Sequence, residues 1–100
     1  MRYEIDWRPN ATEDMLLMFD YIAQNASPWD ARNVSQRIFQ SVERLREFPR
    51  LYAADPRYGD GVRRISVAGQ NVLYRIDESE LRIQILAIVG QRQQPRSIQA

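Results

Sequence analysis

GVRRISVAGQNVLYRIDESELRIQILAIVGQR, residues 61–92, holds three apolar runs: Val62 to Val67, Asn71 to Ile76 and Leu81 to Val89. Their connectors, Ala68-Gly69-Gln70 and Asp77-Glu78-Ser79-Glu80, are of turn-forming type, so the segment reads as an antiparallel meander of three strands. The last run alternates at first, with Leu81, Ile83 and Ile85 set against Arg82 and Gln84, and then turns apolar on both faces from Leu86 to Val89. A strand covered on both faces belongs inside a sheet, so this one is expected to be interior.

Upstream of the meander the period changes twice. Tyr3, Ile5 and Trp7 alternate with Arg2, Glu4, Asp6 and Arg8, which predicts a half-buried first strand, ended by Pro9 and joined to the same sheet. From about Asn10, Ala11, Met15, Met18 or Phe19, and Ile22 recur at threes and fours, an amphipathic helix of about fifteen residues. Acidic residues are expected in its first turn, against the positive end of the dipole, and Asn25 is a plausible stop. Ser27-Pro28-Trp29-Asp30 starts a second helix, with a serine cap and a proline where no amide hydrogen is missed. Its apolar stripe runs through Ala31, Val34, Ile38, Val42 or Ser41, Leu45 and Phe48 to Pro49. Two helices joined by a few residues form an antiparallel hairpin that must bury its stripes on itself and on the sheet. Residues 50–60 read as a loop. Residues 93–100 lack apolar density and read as a tail, mobile or ordered only against a partner. The fold class is therefore α+β: a helical hairpin on one face of a largely antiparallel four-stranded sheet, in the order β-α-α-β-β-β. One domain spanning 1–100 is expected from a chain of 100 residues.

Composition narrows the chemistry. There is no cysteine, no histidine and no lysine, which excludes thiol chemistry, imidazole general bases and nearly every transition-metal site. No cofactor is expected, and no metal beyond a carboxylate-bound one. No apolar run is long enough to span a bilayer, and MRYEIDWRP alternates charge and aromatic, so a cytoplasmic protein is expected. A net charge of +1 does not by itself indicate nucleic-acid binding. All fourteen basic residues are arginine. Genomic base composition explains this, as does a need for planar, bidentate contacts to carboxylate or phosphate.

The constellations are sparse. Asp55 with Asp60, and Asp77 with Glu78 and Glu80, sit where turns want polar residues, so they read as solvated turn charges before they read as an acid/base pair. Phosphate-binding loop, nucleophile-elbow and dinucleotide fingerprints are missing. The aromatics Tyr3, Trp7, Phe19, Phe39 and Phe48 fall on or near core stripes, and Tyr74 shares a face with Val72 and Ile76. Arg63 and Arg64 point to opposite faces, Arg75 lies opposite Tyr74, and Arg92 follows Gly90. A cationic patch on the open face of the sheet, or ordinary solvated strand arginines, are the two readings.

Ala11-x-x-Asp14-Met15, Tyr21-Ile22-Ala23, Leu45-x-x-Phe48-Pro49, Gly61-Val62-Arg63-Arg64, Val72-Leu73-Tyr74-Arg75-Ile76, and Ile83 to Val89 followed by Gly90-Gln91-Arg92 occur in this order over nearly the whole chain. In order and spacing they resemble the RelE/ParE superfamily of bacterial toxins from type II toxin-antitoxin pairs. That superfamily divides into RelE-like toxins, which cut messenger RNA on the ribosome, and ParE-like toxins, which poison DNA gyrase. Set on the RelE-like pattern, the cations of the second strand fall at Val62 and Arg64, that of the third at Asn71, that after the last strand at Arg92, and the terminal tyrosine near Ile98. Two of five positions keep a cation, and Gly90 stands where many relatives have histidine. The resemblance therefore implies the ParE-like branch, with no catalytic residues, or Arg64 and Arg92 if the chain is a ribonuclease. Implied partners are DNA gyrase and a ParD-like antitoxin bound in a hetero-oligomer, with plasmid stabilisation as a role and no membrane. Ribosome and messenger RNA are the alternative targets, and an inactive relative that binds only its antitoxin is a third reading. Target contacts are expected at Arg92, Arg64, Arg75 and Arg96, and antitoxin contacts at Leu17 and Phe39.

Overall fold

The computed structural model describes residues 2–98; Met1 and the last two positions of the expected tail, 99 and 100, lie outside the described residues. Strand β1 (Glu4–Trp7) leads into helices α1 (Pro9–Asn25) and α2 (Pro28–Glu43), and strands β2 (Arg63–Val67), β3 (Gln70–Asp77) and β4 (Arg82–Gly90) follow. The sheet order is β1-β4-β3-β2, with β4 interior as its apolar second half requires. The meander is antiparallel, whereas β1 runs parallel to β4 from Glu4 opposite Arg82 to Trp7 opposite Ile85. The helical hairpin covers one face, and the element order expected from the sequence is the one observed.

Local chemistry sets the element ends. Ala68 and Gly69 both have positive φ, 52° and 79°, which is the two-residue turn whose twist suits a tight hairpin, and Gln70 stays in β3. Ser27 caps α2 by accepting the Asp30 amide at 3.0 Å, with Pro28 at the first position. Helix α1 differs from expectation. Pro9 is its first residue, no side chain caps it, and Glu13 and Asp14 fall beyond its first turn. The second helix also ends early: after Glu43 the chain tightens into a 3₁₀ turn, Arg44–Arg46. Tightening to about 3.0 residues per turn breaks the phase of the stripe. Leu45 remains fully buried, but Phe48, expected in the core, is 59% exposed.

The main core lies between hairpin and sheet, where Ala11, Met15, Ile38, Val42 and Leu45 meet Ile65, Val72, Tyr74, Ile83, Ile85 and Ile88. A register shift beside Leu73 and Tyr74 leaves Leu86 as an extra residue on β4, between Ile85 opposite Tyr74 and Ala87 opposite Leu73. This bulge resets the alternation, so Ile83, Ile85 and Ile88 all reach the helix face while Leu86 and Ala87 join a second cluster with Tyr58, Val62 and Leu73. Val89 and Ile98 pack on that second cluster.

Two substitutions test this packing by urea denaturation. Leu45→Ala should destabilise by about 2–5 kcal/mol, because the side chain is fully buried in the main core. The Tyr74 hydroxyl donates to the Pro49 carbonyl at 2.8 Å inside the protein, and burial pushes its pKa up to about 12. Tyr74→Phe leaves that carbonyl without its partner and should cost about 1–3 kcal/mol; an unchanged midpoint would mean that water replaces the hydroxyl.

Candidate functional site

The sheet face opposite the helices carries Arg64 and Arg75, two of the four arginines expected at the target contact. Residues Arg64 and Ser66 of β2 and Asn71, Leu73, Arg75 and Asp77 of β3 point to it, since Ile65, Val72, Tyr74 and Ile76 point to the main core. Its centre is apolar: Tyr58, Val62, Leu73, Leu86 and Ala87 are buried, and Ile98 covers them. The Ile98 amide donates to the Tyr58 carbonyl at 2.9 Å, so residues 93–98 return over this face. Gly59, at φ 132°, lets the chain turn beneath them, where a Cβ would meet Val62, Ser97 and the Ile98 carbonyl.

Of the five positions set on the RelE-like pattern, Val62 is buried and apolar and Ile98 is packed on the same cluster. Asn71 is 4% exposed; its amide donates to the Tyr58 hydroxyl at 3.4 Å and its carbonyl accepts from the Ser66 hydroxyl at 2.9 Å. Only Arg64 and Arg92 keep a charge. The structure brings Arg64 and Arg75 to one face, with Arg75 donating to the Asp60 carbonyl at 3.1 Å. Arg92 stands apart from Arg75. Gln84 is opposite Arg75, and Gly90 lies six positions further along β4, about 20 Å of strand. Arg92 is exposed in a turn closed by the Gln93 amide on the Gly90 carbonyl at 3.1 Å and tied to the β2–β3 turn by the Gln91 amide on the Gly69 carbonyl. Arg96 lines a cleft of about 1060 Å³ with Asn10, Asp14, Leu86 and Ile98.

Two acidic groups have structural roles that the sequence reading did not assign to them. Asp14, on α1, accepts the Ile88 amide at 3.0 Å, three residues past the point where β1 stops pairing with β4. Burial raises its pKa, against the lowering effect of that amide. The Asp55 carboxylate is 9% exposed and sits between Arg57, at 2.8 Å, and Arg64, at 3.3 Å. It also accepts the Arg57 amide and opens the 3₁₀ turn Pro56–Tyr58. The Arg57 side chain holds its pKa below the usual range, with burial opposing and the Arg57 amide and Arg64 assisting. Asp55-Pro56 is a turn-starting pair that could have flagged this cap; nothing in the sequence ties Asp14 to a residue 74 positions away.

On the helical side, Leu17 is 60% exposed, as an outer-face residue should be. Phe39 is half exposed and packs edge-on against Trp7, ring centroids 5.3 Å apart. Leu16, Tyr21 and Trp29 are also exposed, and the sequence reading passed over them. Among the described residues no helix is long and apolar enough to cross a membrane.

A family model for the ParE toxin of type II toxin-antitoxin systems, parDE, matches residues 5–95. No curated protein matches the chain by sequence. Among solved structures, the chromosomal ParDE toxin-antitoxin system of P. aeruginosa has a chain 23% identical, TM-score 0.76, over 89% of this chain and 96% of that one. The RelBE2 complex of Mycobacterium tuberculosis aligns at 19% identity and TM-score 0.60, covering 91% and 100%. A mutant of the E. coli toxin RelE in the free state aligns at 14% and 0.67, covering 92% and 86%. These similarities concern the fold.

The Asp55 cluster yields a pH test. Its folded-state pKa lies below the unfolded value of about 3.9, so as pH falls the unfolded chain takes up the proton first. The stability it contributes is complete above about pH 5 and is lost as pH drops through the folded value. Asp55→Asn should therefore be less stable than wild type at pH 7, with the gap closing below about pH 4. A gap in urea midpoint that stays constant from pH 7 to pH 3 would contradict this assignment.

Proposed function

The chain belongs to the family of ParE toxins of type II toxin-antitoxin systems, and from that premise we propose that it inhibits DNA gyrase and is neutralised by a cognate ParD-like antitoxin. One observation carries the choice of target. Where the RelE-like pattern puts cations and a proton-active tyrosine, this face has Val62, Asn71 and Ile98 packed around Tyr58 and Leu73. General acid/base cleavage of RNA needs donors aimed at a developing phosphate charge and groups that exchange protons near neutrality. An apolar cluster supplies neither. The RelE-like alternative retains Arg64 and Arg92, which can hold a phosphate but do not shuttle protons.

The target contact is assigned to residues 90–96. Arg92 projects from a turn fixed at the end of the interior strand, so its position costs little further ordering on binding. Arg96, Arg64 and Arg75 are the further contacts. Gyrase bound to DNA presents both acidic protein and phosphate, and arginine pairs bidentately with either. The antitoxin is assigned to the opposite side. Leu17 and Tyr21 are four residues apart on one face of α1, both mostly exposed, beside Leu16. An apolar helix face of this kind suits an amphipathic partner segment, and Phe39 on α2, half exposed against Trp7, is a second contact.

Induction of the chain without antitoxin, followed by thymidine, uridine and methionine incorporation over the first minutes, tests the target. Thymidine incorporation should fall first; early collapse of methionine incorporation with intact DNA synthesis would identify the ribosome as target, and no effect on any label an inactive toxin. Arg92→Ala should abolish or strongly weaken the arrest while antitoxin binding and thermal stability stay near wild type. Full activity of that variant would remove residues 90–96 from the site. Leu17→Ala combined with Tyr21→Ala should do the opposite, weakening antitoxin binding by at least tenfold with the arrest intact; unchanged binding would move the antitoxin off α1.

A further inference from the structure

Arg57 has no part in the target or antitoxin contacts proposed for this chain, yet its side chain is held at two points by Asp55. Both ends of the Asp55 carboxylate are occupied: Oδ1 takes the Arg57 amide at 3.1 Å and Nε at 2.9 Å, and Oδ2 takes Arg57 Nη2 at 2.8 Å and Arg64 Nη1 at 3.3 Å. Asp55 is itself fixed. Its backbone amide donates to the Val62 carbonyl at 2.8 Å and its carbonyl accepts from the Tyr58 amide at 3.1 Å. One buried carboxylate needs one guanidinium for neutrality, and here two converge on it, leaving a local charge of +1. The surplus is presented outward: the Arg57 and Arg64 side chains are 58% and 36% exposed, at the mouth of an open groove of about 450 Å³ that also holds Ser66.

The row continues across the sheet. Arg64 lies opposite Leu73, and Arg75, two residues along on the same face, is its diagonal neighbour at roughly 7–8 Å between Cα atoms. A lone acidic side chain would need one arginine fork. A line of three suits a ligand that repeats its negative charge at regular intervals, as a nucleic-acid backbone does. Resting on the gyrase reading, in which the toxin meets an enzyme already bound to DNA, we propose that Arg57 and Arg64, oriented by Asp55, form a seat for a phosphodiester of that nucleic acid. Asp55 is a positioning residue. It bonds the Arg57 guanidinium at two points and pairs with Arg64 before the ligand arrives, so less rotamer freedom is left to lose on binding.

The test uses the purified chain and fluorescein-labelled 20-mers of one sequence as duplex DNA, single-stranded DNA and RNA, read by anisotropy over a salt series. Arg57→Gln and Arg64→Gln should each weaken binding and each reduce the slope of log K against log salt by about 0.9 for duplex, or about 0.7 for a single strand. Tightest binding to duplex or single-stranded DNA is the result expected, and tightest binding to RNA would overturn the assignment to gyrase-bound DNA. Asp55→Asn gives the sharper reading. Removing a negative charge should by simple electrostatics tighten binding to a polyanion, whereas loss of a positioning group weakens it at least several-fold. Circular dichroism confirms that each variant is folded, and the two arginine variants carry the test if Asp55→Asn is not. Unchanged slopes in both arginine variants, tighter binding by folded Asp55→Asn, or binding to polyglutamate and to none of the oligonucleotides would each overturn the proposal. Because gyrase is absent from the assay, a chain that arrests DNA synthesis with both arginines replaced refutes the seat and leaves the gyrase reading standing. Loss of oligonucleotide binding in a chain whose parent never arrests DNA synthesis does the reverse.

Discussion

Everything in this structure depends on covering β4 on both faces and satisfying both of its edges. The helix face of β4 is met by α1, whose Ala11 and Met15 lie in the main core with Ile83, Ile85 and Ile88, and the other face by Tyr58, Val62 and Ile98. Along its edges β3 runs the full length, while β1 reaches only as far as Ile85. Past that point the strand would carry an unpaired backbone amide into a partly buried site, an omission that costs as much as a lost hydrogen bond. The Asp14 carboxylate takes the Ile88 amide there, so a helix side chain continues what the short strand leaves unfinished. The bulge at Leu86 belongs to the same solution. It lets one strand send three isoleucines to the helices and still place Leu86 and Ala87 on the opposite face.

Filling that opposite face has a functional consequence. Apolar side chains occupy the middle of the surface where the RelE-like branch of this fold is expected to gather cations; of those positions only Arg64 and Arg92 keep a charge, and Arg57 and Arg75 add charge at the rim. Rim arginines held by Asp55 and by the Asp60 carbonyl are suited to docking on something large and charged. They are not arranged around a small reacting centre from which water is excluded. Recognition of a macromolecular target is what such a surface would contribute to the proposed contact with gyrase.

Much of the fold was legible because it is encoded in periods. The period-two runs of the meander, the Ser27-Pro28 start and the two-sided apolarity of residues 86–89 each have one structural solution, and the interior position of β4 followed from the last. Phe48 was misjudged because a helical stripe was continued through a turn that tightens to 3₁₀ geometry, a change of pitch with no marker in the residues before it. The site was less legible. Alternation put Arg63 and Arg64 on opposite faces and Arg75 opposite Tyr74, but it could not show that Arg64 is the one sharing Arg75's face, that Arg92 lies far along the strand from Arg75 or that Ile98 returns over Tyr58. Asp55 was read as a solvated turn charge, and its pairing with Arg57 was not legible, for a physical reason: a carboxylate in a turn reads as solvated until the fold shows that the turn is pressed against Val62 and Arg64.

The central claim is that the apolar filling of this face leaves a toxin that acts by docking on gyrase. The most direct measurement is supercoiling of relaxed plasmid by purified gyrase in the presence of the purified chain, with a ribosome-bound messenger RNA treated in parallel. Loss of supercoiling with accumulation of gyrase-linked DNA breaks, and intact messenger RNA, is the result expected. Unimpaired supercoiling together with cleavage of the messenger RNA would contradict the account.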